Sequence, residues 1–223
     1  MTYIYLHGFA SSPHSAKATY LRDRFSELGI NLQIPDLNQG DFSRLTLTRQ
    51  LQQVAAEFPP PPTPVTLIGS SFGGLTAMWL AQGSAQVQRL ILLAPAFQFL
   101  AYWLPKLGAQ QVRQWQENNA IDVYHYGEGR KLPLEYEFVR DAQQYREGAL
   151  TREIPTLILH GNADEVVPVQ ASRHFATSRP WVNFRELDSE HGLGNAMPEI
   201  WQAIQEFCRL DGVEPLQSGD SFV

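Results

Sequence analysis

The sequence predicts a three-layer α/β fold: a mostly parallel sheet of about six strands with helices on both faces. Three observations carry this expectation. Short β-rich apolar runs recur along the chain, stretches of helical periodicity separate them, and several runs are continuously apolar rather than alternating. Continuous apolar strands suit a sheet buried on both faces. The first run is 2–6 (TYIYL), and a weaker second, 31–34, is ended by Pro35. The others are 65–68 (VTLI), 89–93 (RLILL), 156–160 (TLILH) and 183–187 (NFREL). Helical patterns at 15–28, 42–58, 74–82, 169–177 and 198–210 fall between them. Strand and helix in alternation read as βαβ units, whose ligands sit beyond the carboxyl ends of the strands.

Two segments interrupt the alternation. Pro59 to Pro62, with Pro64, form a stiff connector that ends one helix before the third strand. Segment 97–152 separates the fourth and fifth strands and is rich in aromatic residues, among them Tyr102, Trp103 and Trp115. Within it, 123–126 and 131–134 are expected to pair as a hairpin about the Gly-Glu-Gly turn. An insert of this length reads as functional, a small cap over a site. The expected organisation is one domain over 1–210 with this cap, followed by a flexible polar tail, 211–223.

Composition narrows the function classes. The 223 residues hold 17 Lys and Arg against 23 Asp and Glu, a net charge of −6, with 43% hydrophobic residues. That is ordinary globular material, too acidic to displace counterions from a nucleic acid. Cys208, the single cysteine, offers neither an internal disulfide nor a thiolate metal cluster. No apolar run reaches the ~18 residues that span a bilayer, and no basic-then-apolar leader opens the chain. A cytoplasmic location is expected.

The chemistry begins at Gly69-Ser70-Ser71-Phe72-Gly73, a G-x-S-x-G motif centred on Ser71. By itself the pattern is weak, arising by chance in roughly one chain in fifteen of this length. Its setting strengthens it, because it follows a buried strand and opens a helix. That is the nucleophile elbow of a three-layer α/β-hydrolase fold, a strained turn that lifts a serine hydroxyl above the sheet. The nucleophile needs a base, and the base an orienting carboxylate, in the chain order Ser, acid, His. Asp164 follows the fifth strand in His160-Gly161-Asn162-Ala163-Asp164, and His191 follows the sixth in Ser189-Glu190-His191-Gly192. All three lie in loops at one edge of a parallel sheet. Glu165 is the competing acid. Asp188 and Glu190 read as solvated loop charges, His160 as a hydrogen-bonded structural histidine and His174 as a surface residue. His14 and His125 stand in no motif.

Acyl transfer also needs oxyanion donors. The backbone N–H of Phe72, after the nucleophile, is one, and that of Phe9, in His7-Gly8-Phe9 after the first strand, is the other. His7 is expected to shape that loop rather than act as a base. Tyr102, Trp103 and Trp115 are candidate pocket residues, set against the plainer reading that they hold the insert down. No metal or organic cofactor is called for.

With these residues in place, the stretch Tyr5-Leu6-His7-Gly8-Phe9-Ala10-Ser11-Ser12-Pro13-His14-Ser15-Ala16-Lys17-Ala18 resembles the opening signature of the YqiA-like bacterial esterases, small members of the α/β-hydrolase superfamily. The resemblance continues through the Ser71, Asp164 and His191 motifs. It implies a Ser71-Asp164-His191 triad and hydrolysis of carboxylic esters, with short acyl chains and a small-molecule ester or thioester as partner. The insert also resembles the cap of small acyl-protein thioesterase-like members. Rival readings are an acyltransferase, which would exclude water, a gated peptidase, for which the chain has no room, and a non-catalytic ligand-binding relative. Dehalogenases and dienelactone hydrolases of this fold need Asp or Cys where Ser71 stands.

Overall fold

The computed structural model describes residues 1–210, so the tail expected at 211–223 lies outside the described residues. Its main sheet contains β1 (Thr2–Leu6), β2 (Leu32–Gln33), β3 (Val65–Ser70), β4 (Val87–Leu93), β7 (Thr156–Gly161) and β8 (Val182–Leu187). Their spatial order is β2-β1-β3-β4-β7-β8 and every pairing is parallel. A separate antiparallel pair, β5 (Ala120–His125) and β6 (Arg130–Glu135), lies in the insert. The helices are α1 (Ala16–Glu27), α2 (Leu47–Ala56), α3 (Phe72–Gly83), α4 (Phe99–Leu107), α5 (Ala109–Asn118), α6 (Glu137–Ala142), α7 (Val169–Thr177) and α8 (Met197–Cys208).

The continuous apolar runs serve two cores at once. In β1, Tyr3 and Tyr5 enter one cluster while Ile4 and Leu6 enter another. In β4, Ile91 and Leu93 take the first side, and Leu90 and Leu92 the second. This is the period-two alternation of a strand, with both faces covered. The first cluster is closed by α1 and α8, through Leu21, Phe25, Ile200 and Ile204. The second is closed by α2, α3 and α7, through Val54, Ala77, Met78, Ala171 and Phe175.

One expected helix is broken. The pattern over 42–58 resolves into a 3-10 turn at Phe42–Arg44 and then α2. Asp41 accepts from the Ser43 N–H, and the Thr46 side chain accepts from the Arg49 N–H as an N-cap. Two side chains that satisfy helix-end amides favour a restart over one continuous helix. The hairpin is longer than its turn signal indicated, because pairing runs from Ala120↔Glu135 to His125↔Arg130.

The insert between β4 and β7 has its own cluster, in which Trp115, Leu134, Tyr136, Phe138 and Val139 are buried beside Phe72 and Leu75 of α3. It is tied to the loop after β1, since the Tyr126 N–H donates to the Ala10 carbonyl at 2.7 Å. Among the described residues, no helix is long and apolar enough to cross a membrane.

Phe25 is fully buried and packs against Tyr3 of β1 and Trp201 of α8 at ring separations of 4.9 and 5.1 Å. Phe25→Ala is therefore expected to cost about 3–5 kcal/mol, read as a lower urea midpoint with an unchanged m-value.

Candidate active site

Ser71 sits between β3 and α3 with φ 53° and ψ −117°. This backbone conformation is strained for a residue with a side chain. Packing holds it. The Ser71 N–H donates to the Leu93 carbonyl of β4 at 2.9 Å, and its carbonyl accepts from Gly74 and Ala96 at 2.9 and 3.0 Å. A Cβ at Gly69 would run into the backbone of Gly73 and Gly74, and one at Gly73 into the carbonyls of Leu6 and His7. The glycines flanking the serine thus allow α3 to lie directly on the ends of β1 and β3.

Asp164 and His191 meet beneath this turn. Ser71 Oγ lies 3.1 Å from His191 Nε2, and His191 Nδ1 lies 2.7 Å from Asp164 Oδ2. The same Oδ2 is 3.1 Å from His160 Nε2, while Oδ1 accepts the Val166 and Val167 N–H groups at 2.8 Å each. The Asp164 side chain is fully buried and His191 is 23% exposed, so only the imidazole is open to a ligand. Burial pushes the Asp164 pKa up. The hydrogen bonds from His160 and His191, the His191 charge and the Val167 amide outweigh it and hold the carboxyl well below the usual carboxylate range.

The two loops are fastened to one another. The Ala163 N–H donates to the Ser189 carbonyl, and Gly161 has no space for a Cβ against that same carbonyl. Lys17 Nζ donates to the Gly192 carbonyl at 2.8 Å, anchoring the His191 loop to α1.

His160 has a role beyond filling the core. Its Nδ1 meets Ser172 Oγ at 2.8 Å, and its Nε2 faces both Asp164 Oδ2 and the Val167 carbonyl. Two acceptors at Nε2 put the proton there, so His160 donates to the acid. The spacing His160-Gly161-Asn162-Ala163-Asp164 contained the signal, a strand-end histidine four residues from the carboxylate.

The N–H groups of Phe72 and Phe9 donate to no protein carbonyl among the described residues. His7 is buried, with Nε2 accepting the Leu37 N–H at 3.0 Å and Nδ1 3.0 Å from the Gly8 carbonyl, which fixes the loop carrying Phe9. The Phe9 ring packs among Phe42, Phe72, Phe99, Trp103 and Phe138 at 5.2–6.2 Å.

Of the three aromatic residues singled out in the insert, Trp103 reaches this cluster as a partly buried ring. Trp115 is fully buried and donates its indole N–H to the Leu134 carbonyl. Tyr102 packs against the cluster on the α3 and α7 side. A cavity of about 460 Å³ opens between α3, α4 and α7, lined by Phe72, Leu75, Phe99, Glu147, Phe175 and Arg179 among others. Ser71, Asp164 and His191 do not line it, and Phe72 connects it to the elbow. Among the described residues no group of histidine, cysteine and carboxylate side chains is placed to hold a metal ion.

The model of an uncharacterised protein family, UPF0227, matches residues 2–208. The chain belongs to UPF0227. This is the YqiA-like family that the N-terminal signature resembles. No curated protein sequence matches the chain. Among solved structures it is similar to Est1E from Butyrivibrio proteoclasticus with ferulic acid bound, at 23% identity over 92% of this chain and 87% of that one, TM-score 0.73. It is similar to mouse alpha/beta hydrolase domain-containing protein 10 at 20% identity over 93% and 89%, TM-score 0.75. A protein from Agrobacterium vitis S4 matches at 24% identity over 96% and 88%, TM-score 0.76. At these identities the likeness is one of fold, and the fold of this UPF0227 member is that of the α/β hydrolases.

Two outcomes follow from the site's packing. Gly73→Ala forces backbone against backbone and is expected to cost roughly 2–4 kcal/mol, whereas Gly148→Ala, with nothing within 4 Å of the new Cβ, changes stability by less than about 0.5 kcal/mol; thermal melts compare them. Asp164 has a depressed pKa, so its stabilisation is present above the ordinary carboxylate pKa and is lost as pH falls towards the folded-state value. Asp164→Asn should flatten the loss of stability below pH ~4, by at most about 1.4 kcal/mol per pH unit, in urea titrations at stepped pH.

Proposed function

We propose that this protein is a serine hydrolase that cleaves carboxylic esters through an acyl-enzyme, with Ser71 as nucleophile, His191 as general base and Asp164 as the orienting acid. The observation that carries this reading is the continuous contact from Ser71 Oγ through His191 to Asp164, at 3.1 and 2.7 Å. In this reading His191 Nε2 takes the hydroxyl proton as Oγ attacks the ester carbonyl. Asp164 holds the proton on Nδ1 and stabilises the imidazolium. Four donors on Asp164 keep it ionised and immobile, which suits that task. The Phe72 and Phe9 amides, free of protein partners among the described residues, receive the oxyanion. Removing one such donor typically costs about 3–4 kcal/mol of transition-state stabilisation. His191 then returns the proton to the leaving alcohol and activates the water that releases the acid. No metal or organic cofactor enters this sequence.

In this reading the acyl group lies on the side of Phe9 and Trp103, whose rings pack 5.2 Å apart in the apolar cluster beside the elbow. The ferulic acid bound in Est1E fits the same general picture of an ester hydrolase on this fold.

Ser71→Ala is expected to lower hydrolysis of p-nitrophenyl acetate and butyrate by at least about 1,000-fold while the melting temperature is retained, and to abolish labelling by a fluorophosphonate probe. Most of the activity surviving in the purified variant would reject Ser71 as nucleophile. Activity on thioesters with none on oxygen esters would move the assignment to a thioesterase.

A further inference from the structure

The two oxygens of the Asp164 carboxylate are filled by different kinds of donor. Oδ1 takes two backbone amides, those of Val166 and Val167. Oδ2 takes two imidazoles, His191 at 2.7 Å and His160 at 3.1 Å. In the triad reading, on which this inference rests, Oδ2 is the oxygen that holds the His191 proton. A second donor on the same oxygen competes for the charge that His191 uses.

His160 is fixed as that second donor. Its side chain is fully buried at the end of β7, and both ring nitrogens are engaged. Nδ1 lies 2.8 Å from Oγ of Ser172, itself fully buried on α7, and Nε2 faces Oδ2 and the Val167 carbonyl. A hydroxyl at Nδ1 and two acceptors at Nε2 select one tautomer, with the proton aimed at the acid. Val167 completes the enclosure, because its N–H meets Oδ1 while its carbonyl meets His160. Three other donors already hold the carboxylate, and an apolar side chain could fill the strand end without presenting a proton to it.

The charged neighbours are few. Lys17 of α1 feels the Asp164 charge, and Glu186 stands opposite His160 on β8, where Arg173 of α7 engages it. His160 and His191 are the groups that touch the carboxylate itself. Burial raises the Asp164 pKa, and the His160 bond leads the effects that pull it down.

We propose that His160 is a positioning residue that tunes His191 as a base by sharing Asp164 Oδ2 with it. Donation from His160 draws off part of the negative charge that stabilises the His191 imidazolium. The acid stays ionised, and His191 is kept from holding a proton so firmly that it cannot take the one on Ser71. Without the His160 donor, Oδ2 gives more charge to His191 and the imidazolium persists to higher pH.

The test follows kcat/KM for p-nitrophenyl acetate from pH 5 to 9 in wild type, His160→Leu and His160→Gln. The acid limb is expected to move up by about 0.5–1 pH unit in His160→Leu, with KM unchanged at the plateau. His160→Gln, whose amide restores a donor, should return the limb most of the way. A limb that stays in place in both variants, with rates lowered equally at every pH, would overturn the proposal and leave His160 as core packing. A limb moved to lower pH would overturn it as well. A second arm needs no folded leucine variant. Side-chain spectra of wild type labelled with 15N-histidine should show His160 with its proton on Nε2 and a bare Nδ1, the signal being absent from His160→Gln. A proton on Nδ1 alone would reject the donor role. No Ser71-dependent hydrolysis by the wild type would overturn the triad reading and this proposal together, an outcome distinguished by the missing rate.

Discussion

Gly73 lies against the carbonyls of Leu6 and His7 with no room for a methyl group between them. Most of the site follows from that contact. It seats the start of α3 on the end of β1, which forces the turn at Ser71 into its left-handed backbone conformation and raises the hydroxyl above the sheet. The same approach brings the loop after β1 against the turn, where a Cβ on Gly8 would stand 3.4 Å from the Ser70 carbonyl and from Ser71 Cβ. Strain at one residue is tolerated because four backbone hydrogen bonds and two close-packed glycines over-determine it. The Ser71 turn and the neighbouring strand ends are thereby placed by backbone contacts, while the His7 side chain fixes the loop that carries Phe9.

On the other side the organising group is the Asp164 carboxylate. A buried charge is costly unless its lone pairs are filled. Here two backbone amides and two imidazoles fill them. His160 and Ser172 stand behind the acid, Val167 closes over it, and His191 is the one exposed member of the chain. The insert adds a third constraint. Its hairpin tip bonds to Ala10 and presses Gly127 against Ser12, so the insert and the loop after β1 form one packed unit around Phe9.

The particular residues show where sequence reasoning holds and where it stops. Strand and helix order, parallel pairing and the three motif-bearing loops were legible, because apolar period, glycine spacing and chain order are local properties. The break between Arg44 and Leu47 was missed because apolar periodicity continues through it, and two capping side chains decided against it. Trp115 and Trp103 are equivalent in composition. One is sealed in the insert and the other reaches the Phe9 cluster, a difference set by helix packing. His160 reads from the sequence as a hydrogen-bonded structural histidine, and the structure makes the Asp164 carboxylate one of its partners.

The sequence by itself determined the α/β class, the elbow at Ser71 and the loops that bear Asp164 and His191. A parallel sheet sends every strand's carboxyl end to one edge, so chain order already implies convergence. Only the tertiary structure decided which atoms meet there: the four donors on Asp164, the anchoring of the His191 loop by Lys17, and the ring packing around Phe9. The longest of those contacts, Lys17 to Gly192, joins residues 175 positions apart, and packing in three dimensions, rather than any local pattern, sets its distance.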